Sequence, residues 1–244
     1  MGKIVCVVNQ KGGVGKTTTA VNLAAALAIG EHSAVLVDMD PQCNATGAIG
    51  SVPTPHHALL SEDPIAESVT ECATRNLSIL PGSRSFEDVA RMVDQPQRVH
   101  RRLSTLRQQY DFVLIDCPPT VADLTQTALA ASDEVLIPIQ CEYFAMEGLA
   151  EMVKSIAKMI QSSDGRLTFG GILLTMYDPR LELTHEVDAD VRDFFGDIVF
   201  DSVIPRDVSL GEAPSHGQTV FQYAPRSRGA FAYTQLCMEV LQRD

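Results

Sequence analysis

The six cysteines, at positions 6, 43, 72, 117, 141 and 237, form no Cys-x-x-Cys pair. A zinc site or cluster held within one chain is therefore not expected, and scattered thiols in a reducing compartment act as small buried hydrophobes rather than disulfides. Long apolar runs are missing too: no charge-free stretch reaches the roughly 18 residues of a membrane helix. The opening MGKIVCVVNQKGG lacks the charged region, apolar core and cleavage site of a signal peptide in that order, so the default location is the cytoplasm. Positive charge is scarce. There are 19 Lys+Arg against 31 Asp+Glu, a net charge of -12, and only five of the basic residues are lysine, none after Lys158. Wholesale coating of nucleic acid is excluded by that balance. A local basic face is not, because phosphate contacts need only a few arginines.

What is present is an ordinary globular composition. Of 244 residues, 45% are apolar and 20% charged, which excludes a mainly disordered chain and is ample for one core. A large α/β sheet of this length can form a single domain, and no boundary, repeat or low-complexity tract interrupts residues 1–244. Short apolar runs alternate with helical patterns. Strands are expected at Lys3–Val8, Ala34–Val37, Asn76–Leu80, Asp111–Ile115, Glu134–Ile139, Gly170–Thr175 and, more weakly, Val199–Ile204. Helices are expected at Thr17–Ile29 with Gly30 as its stop, and at Ser85–Met92, Gln97–Gln108, Val121–Ala131, Ala145–Ile160, Leu183–Phe195 and Arg228–Leu241. Ser51–Pro64, rich in Pro, Ser and His, is expected to be irregular with one short helix at most. Continuous apolar strands separated by helices imply a mostly parallel twisted sheet of about seven to eight strands, covered on both faces.

The strongest local signal is Gln10-Lys11-Gly12-Gly13-Val14-Gly15-Lys16-Thr17-Thr18, between the first strand and the first helix. Glycines allow successive backbone N–H groups to curl around phosphate oxygens, and the helix start aims its dipole at the anion. In this phosphate-loop pattern Lys16 neutralises the β- and γ-phosphates of a nucleotide, the Thr17 hydroxyl is placed to ligate Mg2+, and Thr18 is a candidate contact to the α-phosphate. The plain alternative, a glycine-rich turn with no ligand, leaves the lysine, the threonines and the flanking elements unexplained. Ligands of parallel sheets bind at the carboxyl ends of strands. Asp116 ends the run FVLID and is expected to hold Mg2+ through water. Asp38 and Asp40 follow AVLV in VDMDPQCNAT; taken alone, they could equally serve as turn or capping residues before Pro41.

The loop departs from the usual form in one respect. The position five before Gly15 is normally glycine and here is Gln10, while Lys11 adds a second lysine. This KGGxGKTT form resembles the deviant Walker A motif of the ParA/MinD/nitrogenase-iron-protein group of ATPases. In that group two subunits sandwich two nucleotides. The resemblance implies that Lys11 acts in trans on the partner's phosphates, and that Gly12 lies where the two chains approach closely. It also implies that Asp40 orients the attacking water and that Asp38 supports the magnesium through its water shell. VLVDMDPQCNAT, YDFVLIDCPPT, ILLTMYDPR and VIPRDVSLGEAPSHGQTVFQYAPRSRGAFAY, in that order, look like ParA/Soj-type chromosome-partition ATPases over nearly the whole chain. The start directly at the first strand matches the short, chromosomal form, without the N-terminal DNA-reading domain of larger plasmid members.

The resemblance carries a function with it. An ATP-bound homodimer would bind double-stranded DNA without sequence preference, be stimulated to hydrolyse ATP by a ParB-type centromere-binding partner, and then leave the nucleoid. Met176, Pro205 and Asp207 fall where relatives surround the adenine. Two departures bear on this: Asp207 replaces an asparagine, and Ser209 a basic residue of the usual motif. Among the arginines, Arg180 of the YDPR motif is the first DNA candidate, followed by Arg206, Arg226 and Arg228; surface salt bridging is the competing role. Arg98, Arg101, Arg102 and Arg107 are expected to form a solvated helical face. Ser215-His216 with Glu212 lacks the strand-to-helix elbow of a hydrolase, and His56-His57 lacks companion ligands for a metal. A MinD-type membrane ATPase would need a basic amphipathic C-terminal helix, whereas this chain ends in the acidic TQLCMEVLQRD. A positioning ATPase for another cargo has the same sequence signature. A cluster carrier needs cysteines paired across a dimer axis, which Cys117 alone does not supply.

Overall fold

A computed structural model describes residues 2–119, 123–142, 145–163 and 166–243. In chain order the elements are β1 (Lys3–Val7), α1 (Lys16–Ile29), β2 (Ala34–Asp38), α2 (Asn44–Ala48), β3 (Thr70–Glu71), β4 (Leu77–Leu80), α3 (Phe86–Asp94), α4 (Pro96–Arg107) and β5 (Phe112–Asp116). They continue with α5 (Asp123–Ala130), β6 (Glu134–Gln140), α6 (Ala145–Ser162), β7 (Thr168–Tyr177), α7 (Glu182–Phe195), β8 (Val199–Pro205), α8 (Val208–Glu212), α9 (Val220–Tyr223) and α10 (Arg228–Gln242). The eight strands form one sheet in the order β3-β4-β2-β5-β1-β6-β7-β8, every pairing parallel except β3 with β4.

Period-two alternation divides each central strand between two cores. Ile4, Cys6, Val113 and Ile115 point to the face covered by α3 to α7, while Val5, Val7, Phe112 and Leu114 point to the face covered by α1 and α10. Both faces are covered, so the central strands are apolar without a break. α1 is almost wholly buried. Its alanines let it lie close against the sheet, and Gly30 ends it as expected.

Each expected strand and helix is present within a few residues. Asn76 is a correction: its φ of +64° places it in a turn, and the strand begins at Leu77. The short antiparallel edge strand β3 had no legible pattern. The expected start of a helix at Val121 lies outside the described residues. Between 51 and 64 the chain makes one 3-10 turn, Ala58–Leu60, as foreseen. Of the four α4 arginines Arg101 is exposed, as expected, and the other three depart from a solvated face. Arg98 pairs with Glu62, Arg102 donates to the carbonyls of Asp63 and Ala58, and Arg107 donates to the Gly2 carbonyl and pairs with Asp133. They lash the helix to neighbouring loops. No helix among the described residues is long and apolar enough to cross a membrane.

Candidate functional site

β1 sits at the centre of the sheet, with β5 on one side and β6 on the other. This is where the order of strands reverses, the place at which parallel sheets open a crevice beyond their carboxyl ends. The chain leaves β1 there and enters α1 at Lys16. Two brackets hold the connecting loop. Asn9 Nδ2 donates to the Pro138 carbonyl at 2.7 Å, and its Oδ1 accepts from the Lys11 N–H at 2.8 Å. The Thr175 hydroxyl lies 2.9 Å from both the Val14 and Ile139 carbonyls. Gly13 and Gly15 have φ of +77° and +90°, left-handed conformations that glycine adopts at least cost. Gly15 caps α1 without a side chain, so the first-turn N–H groups face an open cavity of about 300 Å³ lined by Gly12, Gly13, Thr17, Asp40 and Gln42.

Lys16 is 7% exposed, and its ammonium donates to the Lys11 carbonyl at 2.9 Å. Burial lowers its pKa, opposed by Asp116, Asp40 and Cys117. The Thr17 hydroxyl donates to Asp116 Oδ2 at 2.8 Å, while the fully buried Asp116 Oδ1 finds no partner among the described residues. Burial, and then the nearby Asp38 charge, push the Asp116 carboxyl well above the usual range. A buried, unsatisfied carboxylate oxygen beside a hydroxyl at the mouth of an anion cradle fits a hard divalent cation, which takes oxygen ligands. Lys11 folds back in its own chain, its ammonium 2.5 Å from Glu142.

Asp38 and Asp40 take different parts. In the sheet Asp38 is the register partner of Asp116. Its carboxylate is nevertheless spent on its own loop: Oδ2 accepts from the Thr46 N–H at 2.7 Å and the Thr46 hydroxyl at 2.6 Å, and Oδ1 from the Asp40 N–H at 3.2 Å. Burial raises its pKa to about 6. Asp40 Oδ1 accepts from the Gln42 N–H at 2.9 Å, and the residue lines the phosphate-side cavity. The loop between them is supported from behind. The Gly82 N–H donates to the Thr46 hydroxyl at 2.9 Å, and a Cβ on Gly82 would lie 3.0 Å from the Cys43 sulfur. The His57 ring donates from Nε2 to the Asp38 carbonyl at 3.0 Å. Its Nδ1 accepts from the Leu59 N–H at 3.2 Å, which assigns the neutral tautomer. Burial lowers the His57 pKa in agreement.

A second cavity of about 230 Å³ adjoins the first across Gly15, Thr18 and Met176, and is walled by Pro205, Asp207 and Tyr233. Met176 has φ +52°, a conformation uncommon for a side chain of its size and concentrated at functional sites. Asp207 caps α8. Its carboxylate accepts from the Ser209 N–H at 3.0 Å and from the Gly229 N–H at 2.9 Å, which ties α8 to α10.

The four candidate arginines gather beyond the ends of β7 and β8. Arg226 and Arg228 line an open groove with Tyr177, Pro179, Pro205 and Phe231. Arg228 donates to the Arg206 carbonyl at 3.2 Å, and Arg206 is exposed alongside. Arg180 is different: its exposed guanidinium makes a two-pronged pair with Asp178, Nε at 2.8 Å and Nη2 at 2.7 Å. That pair holds the Asp178 carboxyl well below the usual range. Ser215 and His216 share no contact that could activate a nucleophile; the hydroxyl donates to the Glu212 carbonyl and the imidazole stacks on Tyr223. Nothing in the sequence pattern marks Asn9, Gly82 or Glu142; Thr46 and Thr175 lie inside the quoted motifs with no role given to them there, and His57 is weighed there only as a metal ligand.

Residues 2–169 match the family model described as AAA domain. Over 253 residues the chain is 43% identical to the chromosome partitioning protein ParA of Myxococcus xanthus, covering 100% of this chain and 89% of that protein. It is 41% identical to the chromosome-partitioning ATPase Soj of Treponema pallidum, covering 100% and 99%. Cobyrinic acid a,c-diamide synthase from Mycobacterium smegmatis, crystallised with ADP and magnesium, superposes with a TM-score of 0.85 at 29% identity, covering 100% of this chain and 95% of that one. With a phosphate loop, strand-end aspartates and full-length likeness in agreement, the chain belongs to the ParA/Soj family of chromosome-partitioning P-loop ATPases.

Proposed function

We propose that this chain hydrolyses ATP to ADP and phosphate as a nucleotide-sandwich homodimer, and that the ATP-bound dimer binds double-stranded DNA non-specifically until a ParB-type partner stimulates hydrolysis. The observation that carries the reading is the juxtaposition, at one strand end, of the glycine cradle, the buried Lys16 and the Thr17–Asp116 pair with its unsatisfied oxygen. The backbone from Lys11 to Thr18, including Val14, wraps the phosphates. On binding, Lys16 exchanges the Lys11 carbonyl for phosphate oxygens, and Thr18 faces the α-phosphate. Thr17 and Asp116 would hold Mg2+, which supplies charge neutralisation at the β- and γ-phosphates. Asp40 orients the water for attack. Asp38 keeps Asp40 in place through its hydrogen bonds to Thr46 and to the Asp40 N–H, and adds negative potential near the magnesium without ligating it. Phosphoryl transfer asks for position and charge more than for covalent chemistry, and these groups supply both.

The second cavity suits the adenosine, with Met176 and Pro205 against the base and Asp207 holding the wall rather than offering a free carboxylate. Lys11 leaves Glu142 and reaches the partner's phosphates when two chains close. DNA then meets Arg206, Arg226 and Arg228 from both subunits, with Arg180 joining once released from Asp178. Binding to a short duplex of arbitrary sequence, measured without nucleotide, with ADP, with ATP and with a slowly hydrolysed analogue, tests the reading. Retention with ATP and the analogue alone is expected. Absence of ATP-dependent binding even at low salt would refute the DNA role and leave a positioning ATPase for another cargo, or for a membrane surface that liposome sedimentation would reveal.

A further inference from the structure

Cys6 lies in β1 and Cys117 is the first residue beyond β5. Their sulfurs are 3.3 Å apart, and neither side chain has exposed surface. In the parallel register Cys6 opposes Ile115 and Val7 opposes Asp116. The two cysteines therefore share one face of the sheet and stand two positions out of step. Cys117 is also bonded in sequence to Asp116, whose carboxylate meets Thr17. No step in the proposed hydrolysis uses either thiol.

We propose that Cys6 and Cys117 are an oxidisable dithiol, and that their closure to an intrachain disulfide withdraws Asp116 from Thr17 and disables the nucleotide site. The oxidant is a peroxide. One sulfur attacks the peroxide oxygen, the O–O bond breaks, and a sulfenic acid and one water form. The second sulfur then displaces the sulfenic oxygen as water, so two thiols and one hydrogen peroxide give one disulfide and two waters. The sulfurs lose two electrons, and both thiol protons leave in water.

The coupling to Asp116 follows from sheet geometry. A disulfide bond is about 2.05 Å long and joins Cα atoms less than about 7 Å apart. Residues on adjacent parallel strands, two positions out of step, have Cα atoms about 8 Å apart. Closure therefore moves backbone. Cys6 is inside β1, hydrogen-bonded to β5 on one side and β6 on the other, whereas Cys117 lies past the last register pair of β5, where the Met39 N–H donates to the Asp116 carbonyl at 3.0 Å, the bond that closure must strain. Cys117 is the end that yields, and the peptide carrying Asp116 moves with it. The hydrogen bond between Thr17 and Asp116 and the placement of the unsatisfied Asp116 oxygen depend on that peptide. Because both thiols are enclosed, oxidation must pass through a local opening, which bound nucleotide suppresses.

The functional half of this proposal rests on the ATP reading; the chemical half does not. The full-length chain is treated with hydrogen peroxide, its remaining thiols are blocked, and the digest is mapped for a peptide joining residues 6 and 117. ATP affinity is measured by calorimetry before oxidation, after it, and after dithiothreitol. The expected result is the cross-linked peptide, a loss of at least about tenfold in ATP affinity, recovery on reduction, and slower cross-linking when Mg-ATP is present. Cys6→Ala should bind ATP as the parent does and keep that affinity after peroxide. Absence of the cross-link, or sulfenic or sulfinic acid in its place, overturns the dithiol. A cross-link with unchanged ATP affinity overturns the coupling to Asp116. Failure of the reduced parent to bind ATP is a failure of the ATP reading, and the peptide map still decides the dithiol.

Discussion

Gly12→Val separates what one chain needs from what two chains need. A Cβ built on Gly12 meets no atom within 4 Å, and its backbone is not among the left-handed glycines, unlike Gly13 and Gly15. Inside one subunit the added side chain therefore costs little, within about 0.5 kcal/mol for a substitution that touches nothing. For a chain of this length that is a shift of about 2 °C or less in Tm. ATP affinity should also hold, because Lys16, Thr17 and the N–H groups of the cradle are untouched. The resemblance places Gly12 where two loops face each other across the nucleotides, so six added carbons, three from each subunit, would enter that contact. A loss of at least about a hundredfold in ATP-dependent dimer affinity is expected, about 2.7 kcal/mol. Differential scanning fluorimetry, calorimetry with ATP, and light scattering with a slowly hydrolysed analogue read the three quantities separately. A normal dimer would refute the sandwich geometry and with it the trans role of Lys11. A Tm lowered by more than about 5 °C would refute the open setting of Gly12.

His57 should set the rate without setting the affinity: His57→Leu removes the donor to the Asp38 carbonyl and is expected to lower kcat about tenfold with KM little changed. His57→Gln, which restores a donor, should recover most of it, and equal rates in parent and leucine variant would remove His57 from the support of Asp40. In the nucleotide-free chain the stabilising contribution of Asp38 should grow as pH falls from 7 to 5, while buried neutral His57, whose pKa is lowered, loses stability over the same window. The folded pKa of Asp38, about 6, lies above its unfolded value, so the contribution is full below the unfolded value and is lost as pH rises through 6. That is about 1.4 kcal/mol from Asp38, with Asp116 acting in the same direction, read by urea unfolding at each pH. The difference in stability between parent and Asp38→Asn isolates that contribution and should grow by about 1.4 kcal/mol from pH 7 to pH 5; a difference that does not change with pH would contradict the buried setting of Asp38. If Arg180 of each subunit takes one phosphate, Arg180→Ala should flatten the plot of log K against log salt by about two units per dimer, and Ser209→Arg should tighten binding. Asp178→Asn, which frees the guanidinium, should also tighten it; an unchanged slope in Arg180→Ala would take that residue off the DNA face.

The phosphate loop was legible in the sequence because its requirements are local. Gly13 and Gly15 supply the positive φ that the cradle needs, Lys16 and Thr17 open the helix, and an apolar run ending in aspartate puts a carboxylate at the end of a buried strand. The parallel sheet was legible for the same kind of reason, since strands covered on both faces cannot alternate with polar residues. Tertiary structure decided which partner each polar group of the site meets, buried or exposed. Asp38 turned to Thr46 and to the Asp40 N–H, Lys11 to Glu142 across 131 positions, and His57 to the carbonyl of Asp38. Strand order brought Cys6 to Cys117, and loop packing set Arg180 against Asp178 and left its charge compensated. Local pattern fixes backbone conformation and the face on which a side chain lies. Burial then demands a hydrogen-bond partner for every polar atom. Asp38 and Asp178 find theirs within eight residues once the loop folds, whereas Lys11 and Cys6 meet theirs only because strand order brings together parts of the chain that no short window contains.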